Sequence, residues 1–262
     1  MRKRIGLIGF GYVGRNVFER IRADDDFGLD VAFVYNRDSG KLKDAVPEHL
    51  ICKALSKAES FDPHLIVEMA HPSISKSFGD KFLRYADYLP LSVTALADAE
   101  LEKKLRRAAK THQHRLLIPH GALMGLDSLF EWRHMWEEVT ITFEKHPNAI
   151  DFSESGMTAP TGRATVYDGP ARGIAAKFPR NVNTMVTCGL ATVGLDKCRA
   201  VLIADSTLNY GVADVRARGK DGATLHMRKE QPMAGVSGTE LFESQFHSLL
   251  KAAGVWQPLD FV

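Results

Sequence analysis

The most constraining feature is a glycine turn: Gly9-Phe10-Gly11-Tyr12-Val13-Gly14, a GxGxxG sequence. Its neighbours decide its meaning. Residues 4–8 form a compact apolar run that reads as a strand. Val13, Val17 and Ile21 then mark one face of a helix at spacings of four. Residues 29–35 (LDVAFVY) read as the next strand. A strand, a glycine turn that opens a helix, and a second strand make one βαβ unit, the setting in which this motif binds a dinucleotide. Gly9 permits the tight turn, Gly11 lets backbone approach a pyrophosphate, and Gly14 lets helix lie close to strand. The N–H groups and positive dipole of the helix N-terminus face the phosphates.

The pattern repeats downstream. Residues 65–69 (LIVEM) and 89–93 read as strands. Ile74, Phe78, Phe82 and Ala86 mark a helical face between them. Asp98 suits the N-cap of a helix with Glu100 and Glu102 in its first turn and Arg106, Arg107 and Lys110 further on. Residues 115–118 close the series. Alternation of this kind predicts an α/β fold, an N-terminal Rossmann doubly wound parallel sheet over residues 1–119.

The character changes after Pro119. Residues 139–144 (VTITFE), 164–167, 199–203, 212–218 and 223–228 are strand candidates, and Gly219-Lys220-Asp221-Gly222 joins the last two as a hairpin. Residues 183–193 read as a helix. Residues 120–236 are thus expected to form an α+β domain of mostly antiparallel sheet. In the tail, Ser237-Gly238-Thr239-Glu240 fits a capping box. Phe242, Phe246, Leu249, Leu250 and Ala253 form a stripe, and Gly254 suits a C′ stop. Residues 237–262 are expected to pack this helix back on the first domain.

Composition narrows the function. The 262 residues are 45% apolar and 25% charged, enough to bury a core without staples. A net charge of +2, with no basic block, argues against nucleic acid. Cys52, Cys188 and Cys198 are odd in number and widely spaced, which predicts free thiols in a reducing cytoplasm rather than a disulfide framework. No uncharged apolar stretch is long enough for a membrane helix. The basic start Met1-Arg2-Lys3-Arg4 before an apolar run resembles a signal peptide, but three glycines interrupt that run and no cleavage site follows. No metal site is expected: His112 and His114 have alternate spacing without a partner cluster.

Ligands of a doubly wound sheet sit beyond the carboxyl ends of its strands. Asn36-Arg37-Asp38 ends the second strand. Asn36 carries no charge to repel a 2′-phosphate and Arg37 can pair with one, which favours NADP; Asp38 keeps NAD open through the ribose. Glu68-Met69-Ala70-His71-Pro72, Ser92-Val93-Thr94 and His120-Gly121-Ala122 end later strands and are placed at the nicotinamide side. Ala70 and His71 are read as cofactor-binding, and His71 also suits proton transfer.

The remaining motifs carry a resemblance. His120-Gly121-Ala122-Leu123-Met124-Gly125-Leu126-Asp127 resembles the SGAxGGLD-type segment of the L-aspartate dehydrogenase family. Phe178-Pro179-Arg180-Asn181-Val182-Asn183 is similar to its FPxNxN segment, and Ala204-Asp205 to its AD segment. With the glycine turn these are collinear over nearly the whole chain. The VxNRD and ExAHP segments look closest to the family's animal branch. The resemblance implies a Rossmann domain followed by an α+β catalytic domain in a homodimer. It implies NAD(P)-linked oxidation of L-aspartate, a small-molecule substrate, to iminoaspartate and then oxaloacetate and ammonia. It puts Ala122, Asn181 and Asn183 at the nicotinamide end of the cofactor.

One departure matters. The family carries a histidine shortly after the AD segment, whereas residues 205–214 here contain none; Gly211 or Ala213 stands in its place. His120 replaces a serine of the family pattern. Amine oxidation needs a base, and His71, His120 and His226 are the candidates. Arg163, Arg172 and Arg180 are candidates to hold the substrate carboxylates. The rival readings are a dehydrogenase for another amino or hydroxy acid, and a nucleotide-binding protein without turnover.

Overall fold

A computed structural model describes residues 2–235, 237–255 and 259. Met1, residue 236 at the end of the expected second domain, and residues 256–258 and 260–262 of the expected C-terminal segment lie outside the described residues, as do the side chains of residues 234 and 237. The chain divides into two units. One comprises Met1–Ser92, Glu100–Pro119 and Gln245–Val262; the other comprises Val93–Ala99 and His120–Ser244.

The first unit is a parallel sheet. Its strands are β1 (Lys3–Ile8), β2 (Leu29–Tyr35), β3 (Leu65–Glu68) and β4 (Asp87–Pro90), in the order β2-β1-β3-β4. Every pairing is parallel. Single parallel bridges extend both edges, Ile51 beside Val34 and Leu116 beside Tyr88. Counting those bridges, the spatial order is that of a doubly wound dinucleotide fold. Helices α1 (Tyr12–Ala23), α2 (Pro72–Phe82) and α3 (Ala99–His112) accompany the sheet. The expected strand at residues 115–118 is thus reduced to one bridge. Tyr88 exchanges backbone bonds with Arg115 and Leu117, and Pro119, without an N–H, soon follows. The strand expected at 89–93 also ends early: after Leu91 donates to the Glu68 carbonyl, Ser92 turns toward the Glu68 carboxylate and residues Val93–Ala97 form a 3-10 turn.

The second unit holds α4 (Leu126–Glu131), β5 (Trp136–Lys145), β6 (Ala164–Pro170), α5 (Ala171–Lys177), α6 (Asn183–Ala191), β7 (Arg199–Ala204), β8 (Gly211–Gly219) and β9 (Thr224–Gln231). The sheet order is β6-β7-β5-β8-β9; β5 and β7 run parallel and every other pair is antiparallel. Strand alternation explains it. Val139, Ile141, Phe143 and Lys145 of β5 are buried, and Glu138, Thr140, Thr142 and Glu144 face the other way. The α5 and α6 helices pack on each other and on the 3-10 turn at Val93–Ala97, and α6 also meets β5.

The short β10 (Met233–Ala234) and β11 (Ser237–Gly238) pair antiparallel, and α7 (Leu241–Ala253) follows. The expected capping box is absent: Ser237 is taken into the β10–β11 ladder, and the helix opens one turn later with the Ser244 N–H on the Glu240 carbonyl. At its far end Gly254 has φ +68, and Val255 donates to Leu250, a Schellman closure. Phe246, Leu249, Leu250, Ala252 and Ala253 join Ile5, Leu7, Val17 and Ile21 in one buried cluster of the first unit. Phe246 meets Phe27 edge-on at 5.3 Å, with the Arg20 guanidinium 4.0 Å above its ring. Phe246→Leu is expected to cost about 1–2 kcal/mol by loss of the ring contacts. Urea unfolding at an unchanged m-value measures this; a neutral result would show that α7 is not part of the cooperative core. No helix among the described residues is long and apolar enough to cross a membrane.

Candidate active site

The glycine turn joins β1 to α1. Gly9 sits at φ +102, and a Cβ there would lie 2.8 Å from the Met69 carbonyl oxygen. A Cβ on Gly14 would overlap the Gly9 carbonyl oxygen, which brings α1 down onto the turn. Gly11 differs: its Cβ would meet nothing within 4 Å. Its glycine is therefore not required by the protein's own packing, and the open space suits a ligand that approaches the backbone. The first turn of α1 has no acidic residue and no side-chain cap. Its positive end is left uncompensated for an anion. Phe10 is buried, Val13 half-buried, and Gly11 and Tyr12 exposed. These residues fit a dinucleotide pyrophosphate.

Asn36 secures the turn. Its Oδ1 accepts from the Phe10 N–H at 3.0 Å and its Nδ2 donates to the Asp38 carbonyl at 2.8 Å. Asp38 Oδ1 accepts from the Gly40 N–H and caps the 3-10 turn Ser39–Leu42. Arg37 is exposed and lines a cavity of about 900 Å³ with Arg22, Ser39, Lys43 and Lys53.

A buried carboxylate organises the end of β3. Glu68 is fully buried, and its Oε1 accepts the N–H groups of Ala70 and His71, both at 2.7 Å. The Ser92 hydroxyl donates to the same oxygen at 3.1 Å, and the Ser92 N–H donates to Oε2 at 3.2 Å. Burial pushes the Glu68 pKa up to about 7, against these four donors. Sequence reasoning missed this role, although a glutamate closing the apolar run LIVEM was its visible signal. His71 caps α2: its Nδ1 accepts from the Ser73 N–H at 3.2 Å and lies 2.9 Å from the Ser73 hydroxyl. Ala70 and His71 are exposed beyond the sheet end.

In the second unit, Gly121 and Ala122 both adopt left-handed φ, +60 and +58. For Ala122 this is strained, and three bonds hold the segment. Thr184 Oγ1 donates to the Gly121 carbonyl, the Ala122 N–H donates to Ser244 Oγ at 2.8 Å, and Lys229 Nζ donates to the Ala122 carbonyl at 2.7 Å. His120, half-buried, opens this turn through its carbonyl to Leu123. Asn183 Oδ1 accepts from the Thr94 N–H at 3.1 Å. Asn181 is buried and uses both amide atoms within the protein: Oδ1 accepts from Asp151 N–H and Nδ2 donates to the Ala149 carbonyl.

His226 lies elsewhere. It occupies the outer parity of β9, opposite in facing to Lys229, with Nε2 2.7 Å from Asp214 Oδ2. Burial pushes Asp214 up, but bonds from His226 and Arg216 outweigh it and hold the carboxyl below its usual range. The structure therefore does not bring His226 to the Ala122 turn. The three arginines are also paired: Arg163 with Glu144 and Asp205, Arg172 with Asp196, Arg180 with Asp151. Thr207's hydroxyl and N–H, then Arg163, bring Asp205 down to about 2.

Lysines stand where arginines were expected. Lys229 donates to Glu240 Oε1 at 2.7 Å as well as to Ala122. Lys145, 6% exposed, continues the buried parity of β5. The register aligns Phe143, Ala213 and Lys229 across three strands, which places Lys145 on the same sheet face as Lys229. Glu240 and Lys229 are the charges it faces; burial is the main cause that brings its pKa down to about 8. Lysines on the core parity of VTITFEK and TLHMRKEQ were the available signal.

A glycine turn between parallel strands, an uncapped helix start and a second mixed-sheet unit define a dinucleotide-binding oxidoreductase architecture. Residues 9–119 match the family described as "Homoserine dehydrogenase, NAD binding domain", and residues 131–240 match "Aspartate dehydrogenase, C-terminal". An "Aspartate dehydrogenase domain-containing protein" of Xenopus tropicalis is 35% identical over 97% of this chain and 95% of its own length. The "L-aspartate dehydrogenase 1" of Bordetella pertussis is 31% identical over 97% of this chain and 94% of its own. The crystal structure of aspartate dehydrogenase from Thermotoga maritima superposes with a TM-score of 0.77 over 100% of both chains at 22% identity, a likeness of fold. The chain belongs to the aspartate dehydrogenase family.

Proposed function

We propose that this chain oxidises L-aspartate to iminoaspartate, which hydrolyses to oxaloacetate and ammonia, with NADP preferred to NAD. The observation that carries the substrate is the cluster of Lys145, Lys229 and Glu240 beside the Ala122 turn. The Lys229 cation and the Glu240 carboxylate suit a ligand that carries both carboxylate and ammonium, with the buried Lys145 amine beside them. The relatives named for that reaction support it over nearly the full chain.

Gly9–Gly14 and the start of α1 would hold the pyrophosphate, while Ala70 and His71, set by Glu68, would flank the cofactor beyond β3. Ala122 and Asn183 would serve its nicotinamide end; Asn181 acts behind them by fixing residues 149–151. Arg37, Lys43 and Lys53 around one cavity support a 2′-phosphate. Asp38, with one oxygen on Gly40, leaves NAD as the second cofactor. When bound, the nicotinamide supplies the acceptor for hydride. The substrate ammonium first loses a proton. The Cα hydrogen then leaves with both bonding electrons, a C=N bond forms, water adds at that carbon and ammonia departs. Three buried free cysteines fit a reducing cytoplasm, and the family resemblance implies a homodimer, which sedimentation would test.

The test is nicotinamide absorbance with purified protein, NADP⁺ or NAD⁺, and L-aspartate at alkaline pH. Reduction that requires L-aspartate and fails with D-aspartate or L-malate is expected. Cofactor binding without turnover of any amino acid would overturn the assignment in favour of a binding protein, the reading that the histidine-free stretch 205–214 favours.

A further inference from the structure

We propose that Lys145 is the group that takes the proton from the substrate ammonium, a role resting on the function proposed above. Three structural observations carry it. Lys145 is 6% exposed at the carboxyl end of β5, on the sheet face that carries Lys229 and, through it, the Ala122 carbonyl. One step beyond the Glu144–Val212 pair, β8 opens with Gly211, which has no side chain of its own and leaves the space to its neighbours: a Cβ there would run into Met233 Sδ and lie 3.6 Å from Gln231 Nε2. Finally, two buried acceptors, Gln231 Oε1 and Glu240 Oε2, have no hydrogen-bond partner among the described residues. Buried acceptors without donors are costly, and a substrate ammonium would supply the donors.

The charges around Lys145 set its chemistry. Glu240 and Lys229 face it; Asp205, whose N–H donates to the Lys145 carbonyl, has its carboxylate on Arg163 and Thr207. Lys229 is already bonded to Glu240, so the carboxylate that would stabilise a Lys145 cation is shared. Burial outweighs it, and the amine is neutral above about pH 8. A neutral amine can accept a proton; an arginine in its place cannot.

The step balances simply. The substrate N–H bond breaks and its electron pair stays on nitrogen, while the Lys145 Nζ lone pair forms the new N–H bond. The resulting ammonium returns its proton to water or to the departing ammonia.

The experiment compares wild type with Lys145→Arg and Lys145→Met. Circular dichroism and cofactor titration check that both fold. For both variants kcat is expected to fall about 10²–10⁴-fold, the range for a proton-transfer group, with KM changed far less. The limb near pH 8 in the kcat/KM–pH profile, which reports the free enzyme, should vanish. In ¹³Cε-lysine spectra of the free protein, the resonance lost in Lys145→Arg should titrate near pH 8. A Lys145→Arg enzyme that keeps its rate, or that loses KM alone, would make Lys145 a carboxylate anchor and overturn the proposal. A resonance titrating like an ordinary lysine would do the same. A wild-type protein inactive on every amino acid removes the function itself, an outcome distinct from active wild type with active Lys145→Arg.

Discussion

Gly11→Val is expected to leave the protein folded and to weaken the dinucleotide at least about 100-fold, or about 2.7 kcal/mol. Gly11 has φ −81, which valine adopts without strain, and the space its Cβ would enter is empty of protein. The melting temperature should therefore stay near that of wild type. The pyrophosphate, by contrast, must come against the Gly11 backbone, and branched methyls would hold it off. Gly14→Ala makes the complementary variant. Its methyl would overlap the Gly9 carbonyl, so the loss should appear in stability, about 1–3 kcal/mol, even without cofactor. Cofactor titration by fluorescence, beside thermal melts of the free protein, separates the two. If Gly11→Val binds NADP as tightly as wild type, the pyrophosphate does not use this turn.

Removal of the Glu68 carboxylate should unfold a comparable share of the protein's stability. Glu68→Leu removes the acceptor shared by the N–H groups of Ala70, His71 and Ser92, and a loss of about 1–3 kcal/mol is expected. Cofactor affinity should fall about tenfold or more, since the residues beyond β3 lose their fixed positions. Glu68→Gln isolates the proton. The folded carboxyl holds its proton up to about pH 7, whereas the unfolded one releases it near 4.5. Between those values the folded state binds more protons, so stability falls as the pH rises. The wild-type protein should lose about 3 kcal/mol relative to Glu68→Gln across that window. Urea unfolding at a series of pH values measures the difference. A wild-type advantage that grows with pH would mean that the four donors, rather than burial, set the charge.

The same two sites show how far the residues alone carry a reading. Residues 4–8, the glycine turn and residues 29–35 are legible because each signal is local: strand, turn chemistry and helix period lie within one βαβ unit. The α+β character after Pro119 is legible for the same reason, since VTITFE and its hairpin partner alternate with period two. Boundaries are less so. Residues 115–118 look like a strand but form one bridge, because an edge position offers a single ordered neighbour. Ser237 looks like a cap but is taken into a two-residue ladder by Met233 and Ala234.

The chemistry divides along the same line. Local composition was enough to find Gly9, Gly11 and Gly14, and the family motifs around Ala122 and Asn183. It did not separate Asn181 from Asn183, because that depends on Ala149 and Asp151, some thirty residues away. Arg163, Arg172 and Arg180 read as free cations until their acidic partners are brought in by the fold. His226 reads as a candidate base until the pleat turns it away from Lys229. Sequence periodicity thus determined the two kinds of sheet and the nucleotide turn. Only tertiary structure decided which titratable groups are buried and which are neutralised, because burial and ion pairing join residues that are distant along the chain: Glu68 with Ser92, and Lys145 with Lys229 and Glu240.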